Sequence, residues 1–149
     1  MRSKVLSWGL VALVFSGNVT RAGDILISPE EAALPPPINA PKAPLVTRAI
    51  TRRPDVILVS PEKAVTSPFN FHLKFLAHGG STIIPDSFHL TYLRNPTVDL
   101  TARVRTFVTA GGLEMAGAEA PLGRHMIEAK ISDRDGREGL FVFVLNVVK

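Results

Sequence analysis

Four histidines, His72, His78, His89 and His125, are the residues with most scope for chemistry in this 149-residue chain. Imidazole nitrogens bind zinc or copper, often with carboxylates or methionine. No two of the four are spaced i, i+2 or i, i+4. A metal site would need the fold to bring His72, His89 and His125 together. Otherwise His72, His78 and His89 are surface side chains and His125 is a structural ring. No metal and no cofactor is expected to reside in the protein.

Asp133, Asp135 and Glu138 form the other cluster of ligating groups. Calcium favours such clustered carboxylates, but the further spaced oxygens of an EF-hand loop are missing. Arg134 and Arg137 lie among the acids and oppose a cation. A polar turn is the simpler reading, with Asp133 as its cap and Gly136 at positive φ. Catalysis has little to stand on. The chain has no cysteine, no Gly-x-Ser-x-Gly elbow, no His-Glu-x-x-His and no phosphate-binding loop. An enzyme is not expected. Phe88 and Tyr92 could stack on a sugar, but their alternation points them into a core.

These residues lie on stretches patterned as strands. Phe69, Phe71, Leu73 and Phe75 alternate with Asn70, His72 and Lys74, which predicts a strand with one buried face. Phe88, Leu90 and Tyr92 repeat the pattern, and Asp55–Ser60 predicts a short first strand. Ile127, Ala129 and Ile131 alternate with Glu128, Lys130 and Ser132. The following run, Leu140–Val148, is almost wholly apolar, as for a strand covered on both faces or central in a sheet. The Asp-Gly step between these last two arms predicts a hairpin. Val98–Val108 fits either a strand or a strand with a helical insert near 101–105. A lone hairpin is marginal in water, so six or seven short strands together predict an all-β sandwich.

The N-terminal third reads differently. Arg2 and Lys4 precede an apolar run, Val5–Phe15, and Thr20-Arg21-Ala22 offers small residues at the −3 and −1 positions of a cut. This is the pattern of a secretory signal peptide over residues 1–22. The run is shorter than the about 20 residues of a comfortable membrane span. An uncleaved anchor is the alternative. Without cysteine there is no lipid-modified N-terminus and no disulfide. Residues 23–54 hold Pro29, Pro35, Pro36, Pro37, Pro41, Pro44 and Pro54, so a disordered, extended Pro-rich linker is expected there. Residues 55–149 then form the domain. The chain carries 17 basic and 13 acidic residues. Without Arg2, Lys4 and Arg21 the basic count is 14, and from Asp55 onward the balance is zero. The high pI therefore belongs to the leader and linker, including Arg48, Arg52 and Arg53, and does not indicate nucleic-acid binding.

Ser67-Pro68-Phe69 opening a strand, and Pro121-x-Gly123-x-His125-x-Ile127-x-Ala129-x-Ile131-x-Asp133-x-x-Gly136 further on, resemble bacterial immunoglobulin-like and fibronectin-type-III-like domains. The resemblance covers Asp55–Lys149. It implies a single antiparallel sandwich of about seven strands. It also implies that the His125 ring bonds back to the preceding corner and that Asp133 and Gly136 build the turn. Ile127 stands where an antibody-type domain carries a cysteine, and no tryptophan lies in the Phe88–Tyr92 strand. The resemblance names no reaction. An exported, periplasmic or extracellular, non-catalytic module is expected, with a protein partner in the envelope or outside it. After signal cleavage no stable membrane insertion is expected. The alternative is a small-ligand binder for copper, zinc or a glycan that uses the surface histidines.

Overall fold

The computed structural model describes residues 23–40 and 52–149. The expected signal peptide, 1–22, lies outside the described residues, as do residues 41–51 of the expected linker. Among the described residues ten strands build two sheets. They are β1 (Asp24–Ile25), β2 (Asp55–Ser60), β3 (Val65–Thr66), β4 (Phe69–Leu76), β5 (Ile83–Tyr92), β6 (Val98–Asp99), β7 (Val108–Thr109), β8 (Gly112–Glu119), β9 (Gly123–Asp133) and β10 (Glu138–Val148). Helix α1 spans Pro29–Ala32 and helix α2 spans Thr101–Val104. The first sheet runs β1-β8-β4-β2, with β7 also on β8; the second runs β3-β10-β9-β5-β6.

The fold is all-β, a sandwich with one core between the two sheets. Alternation decides which side chains enter it. In β4 the buried positions are Phe69, Phe71, Leu73 and Phe75. In β5 they include Phe88, Leu90 and Tyr92, and in β9 His125, Ile127, Ala129 and Ile131. Phe71 meets Phe143 across the sheets with ring centroids 5.9 Å apart, and Phe75 meets Phe88 at 5.1 Å. Such tilted pairs add to the simple gain from burying their surface.

Two sequence expectations are revised, and one left open between two forms is decided. The strand count is ten rather than about seven, because four strands, β1, β3, β6 and β7, are only two residues long and carry no periodicity to read. Val98–Val108 is strand and helix in turn: β6, α2, a 3-10 turn at Arg105–Phe107, then β7. The Asp99 carboxylate accepts the Thr101 backbone N–H at 2.8 Å, and the Thr101 side chain then the same N–H hold its pKa below the ordinary value.

The second revision concerns the Pro-rich stretch. Its first part is built into the domain. β1 pairs in parallel with β8, matching Asp24 to Ala118 and Ile25 to Glu119. Leu26 and Ile27 are wholly buried in the core. Ser28 caps α1 with a full capping box: its Oγ accepts from Glu31 N, and the Glu31 carboxylate accepts from Ser28 N at 2.9 Å. Pro29 fits there because the first helical turn has no use for its missing N–H. Three apolar residues, Ile25-Leu26-Ile27, followed by this cap, outweigh the prolines around them. Among the described residues no helix is long and apolar enough to cross a membrane.

Candidate functional site

The histidines do not converge. His72, on β4, lies 3.5 Å from the Glu114 carboxylate on β8, beside a shallow depression lined also by Asn70, Phe71, Met115 and Ala116. His78, after β4, bonds the Asp55 carboxylate at 2.8 Å. His89 lies on β5 opposite Lys130, on the outer face of the second sheet. His125 is buried. Among the described residues no three His, Cys, Asp or Glu side chains are grouped to hold a metal ion. His72 and Glu114 meet at an exposed surface, where such a pair contributes little.

His125 is the centre of a closed polar chain. Its Nε2 is 2.8 Å from the Pro121 carbonyl oxygen, which can only accept, so Nε2 carries the hydrogen. In the neutral ring Nδ1 then accepts from the Tyr92 hydroxyl at 2.9 Å. The Tyr92 oxygen in turn accepts from Arg94 Nε at 2.7 Å, and the Arg94 guanidinium lies 5.1 Å from the Tyr92 ring centroid. Both ring nitrogens of His125 are thus committed, Nε2–H to the corner and the Nδ1 lone pair to Tyr92. Burial first, and the Arg94 charge after it, lower the pKa of His125 below that of an ordinary histidine despite the Pro121 bond.

This sets the sign of a pH dependence. The unfolded chain takes a proton at His125 near about pH 6.5, whereas the folded ring refuses it until a lower pH. Stability from this group is full above about pH 6.5 and falls as pH drops towards the lowered folded value. Thermal melts from about pH 8 to about pH 5 should show a falling melting temperature over that interval. The His125→Gln protein should start lower and lose that step. An unchanged pH profile in the variant would assign the step to another group.

Asp133 closes the β9–β10 turn rather than a cation site. Its Oδ1 accepts the backbone N–H groups of Asp135 and Arg137, each at 3.0 Å, and its Oδ2 accepts Arg137 Nε at 3.0 Å. Burial raises its pKa, but the Arg137 backbone bond and the Arg137 charge outweigh that and leave it lowered. Its support is therefore present above the ordinary carboxylate range and lost in acid. Arg137 also bonds the Asp135 carboxylate. Gly136 holds φ at 74°, a region that costs a residue with a Cβ.

A feature that the sequence analysis missed is the pair of arginines that grip the N-terminal segment. Arg103, on α2, donates to both oxygens of Glu31, at 2.8 and 2.6 Å, and to the Leu26 carbonyl at 2.9 Å. The Glu31 carboxyl is held below its ordinary range, first by Arg103 donation and, against burial, by the Ser28 backbone bond. Arg94 donates to the Leu34 carbonyl and Asn95 N to the Pro35 carbonyl. Planar bidentate pairing suits guanidinium and carboxylate. The Ser-x-x-Glu motif at 28–31 was the available hint.

The outer face of the second sheet mixes apolar and charged side chains. Register aligns Leu140 with Lys130 and His89, Val142 with Glu128 and Thr91, and Val144 with Met126. β10 thus turns Leu140, Val142, Val144 and Val148 to this side, with Asn146 the one polar residue between them; Val142 is buried and Val144 half-buried, so the open apolar surface is that of Leu140, Val144 and Val148. Leu140 and Val148 are 48% and 41% exposed. The apolar run fits the second of its two expected settings, a strand inside a sheet: β10 is paired on both edges, with β3 and with β9. Beside the stripe, β9 and β5 supply Glu128, Lys130, His89 and Thr91. No protein-family model, curated protein or solved structure matches this chain.

Proposed function

We propose that this chain is an exported, non-catalytic module of immunoglobulin-like topology that binds another protein through the outer face of its second sheet. The observation that carries the reading is the outward row Leu140, Val144 and Val148 on β10, flanked by Glu128 and Lys130. A side chain such as Leu or Val in water is ordinary singly; an aligned row beside mixed charge suits a protein interface. The immunoglobulin-like assignment is supported by the second-sheet order β3-β10-β9-β5-β6 against β8-β4-β2, and by the ring-to-corner bond of His125. Export rests on the leader pattern in residues 1–22.

The test is crosslinking of the tagged, exported protein in cells, followed by mass spectrometry, with the Val144→Asp protein alongside. One stoichiometric protein partner should be captured by the parent and lost, by at least about tenfold, from the variant. The melting temperature of the variant should stay within a few degrees, because Val144 points away from the core. Equal capture by both proteins would move the interface elsewhere.

A further inference from the structure

Docking of the N-terminal segment starts at one residue, Gly23. Its backbone nitrogen is 2.8 Å from Glu119 Oε1. The Glu119 carbonyl then receives the N–H groups of Leu26 and Ile27, at 2.9 and 3.2 Å. A Cβ on Gly23 would run into the Gly117 carbonyl oxygen and the Glu119 side chain, so glycine alone brings its nitrogen this near. Glu119 is half-buried at the end of β8, and among the described residues no lysine, arginine or histidine pairs with it. A half-buried carboxylate that lacks a cation, aimed at a main-chain nitrogen, is poised for a charged donor. That nitrogen follows Ala22, the −1 residue of the sequence pattern, with Thr20 at −3.

We propose that Gly23 is the mature N-terminus and that Glu119 is the receptor for its α-ammonium. Hydrolysis of the Ala22–Gly23 bond places the water oxygen on a new Ala22 carboxylate. The released amine takes up a proton and becomes an ammonium. The peptidase would be of the class that reads small residues at −1 and −3. The cut replaces a single neutral amide donor with three donors and a positive charge at the same position. It therefore strengthens the hold on β1 and, through β1, the insertion of Leu26 and Ile27. Processing is in this way a step of folding as well as of export. The inference rests on the reading of residues 1–22 as a secretory leader.

Two experiments separate this inference from that reading. The full chain is exported from a bacterial host, and the intact mass and N-terminal sequence of the exported protein are determined. The expected first residue is Gly23. An exported protein that starts elsewhere, or that keeps its leader, overturns the proposal while export stands. A chain retained inside the cell with Met1 in place overturns both. The second experiment needs no export. Protein 23–149 with a free Gly23 amine is compared with the same protein preceded by Ser-Ala, each with and without Glu119→Gln. The extended protein should melt lower by about 3–5 °C, the size expected of one part-buried charge pair in a domain of this length. Glu119→Gln should lower the free-amine protein by a similar amount and leave the extended one unchanged. Equal melting temperatures for all four proteins would overturn the proposal.

Discussion

Leu26→Ala is expected to destabilise the protein by about 2–4 kcal/mol, with a matching fall in the urea midpoint. Leu26 has no exposed surface, although it sits in a stretch whose composition reads as a spacer. Three elements converge on it. β1 places it beside β8, its own carbonyl is held by Arg103, and its N–H is bonded to the Glu119 carbonyl. Truncation would leave a cavity that the surrounding sheets cannot close, since their backbones are pinned by their ladders. If the segment were merely a tether, the change would be under about 0.5 kcal/mol, as for other surface substitutions. That outcome would remove the segment from the folded unit.

Phe71→Ala should cost more, about 3–5 kcal/mol. Phe71 is fully buried in the centre of β4, and its ring packs on Phe143 from the opposite sheet. β4 is paired on both sides, with β2 and β8, so its backbone has little freedom to move into the void. Equilibrium denaturation of the variant measures the loss. A cost under about 1 kcal/mol would place the register of β4 off by one, because a one-residue slip turns the whole row outward.

Where period-two patterning was strong, the fold could be read from the residues. β4 and β9 alternate cleanly because each has one face against the core and one face wet. The Asp133–Gly136 turn was equally legible, since its chemistry is local: a carboxylate capping its own backbone and a glycine at positive φ. What was hidden depends on pairing between distant segments. The two-residue strands have no period of their own. β10 is apolar on both faces, so its sequence could not say which of them is the core face. The N-terminal segment was obscured by its prolines, which raise the expectation of an extended spacer even where three apolar residues and a capping box say otherwise. The histidines illustrate the same limit. Their separation in sequence left open whether sheet pairing would gather them, and it is the sheet order that sets His72 and His89 on different sheets.

Gly23 and Glu119 stand 96 residues apart in sequence. Closing so long a loop carries a larger entropic cost than forming any neighbouring hairpin, and contacts of this span slow a folding reaction. It also fixes an order of events during synthesis. β8 must leave the ribosome, or any pore through which the chain is threaded, before the beginning of the chain has a partner. For that whole interval Gly23 is without the carboxylate that it meets in the finished fold. A segment made first is thus seated only once β8 has been made.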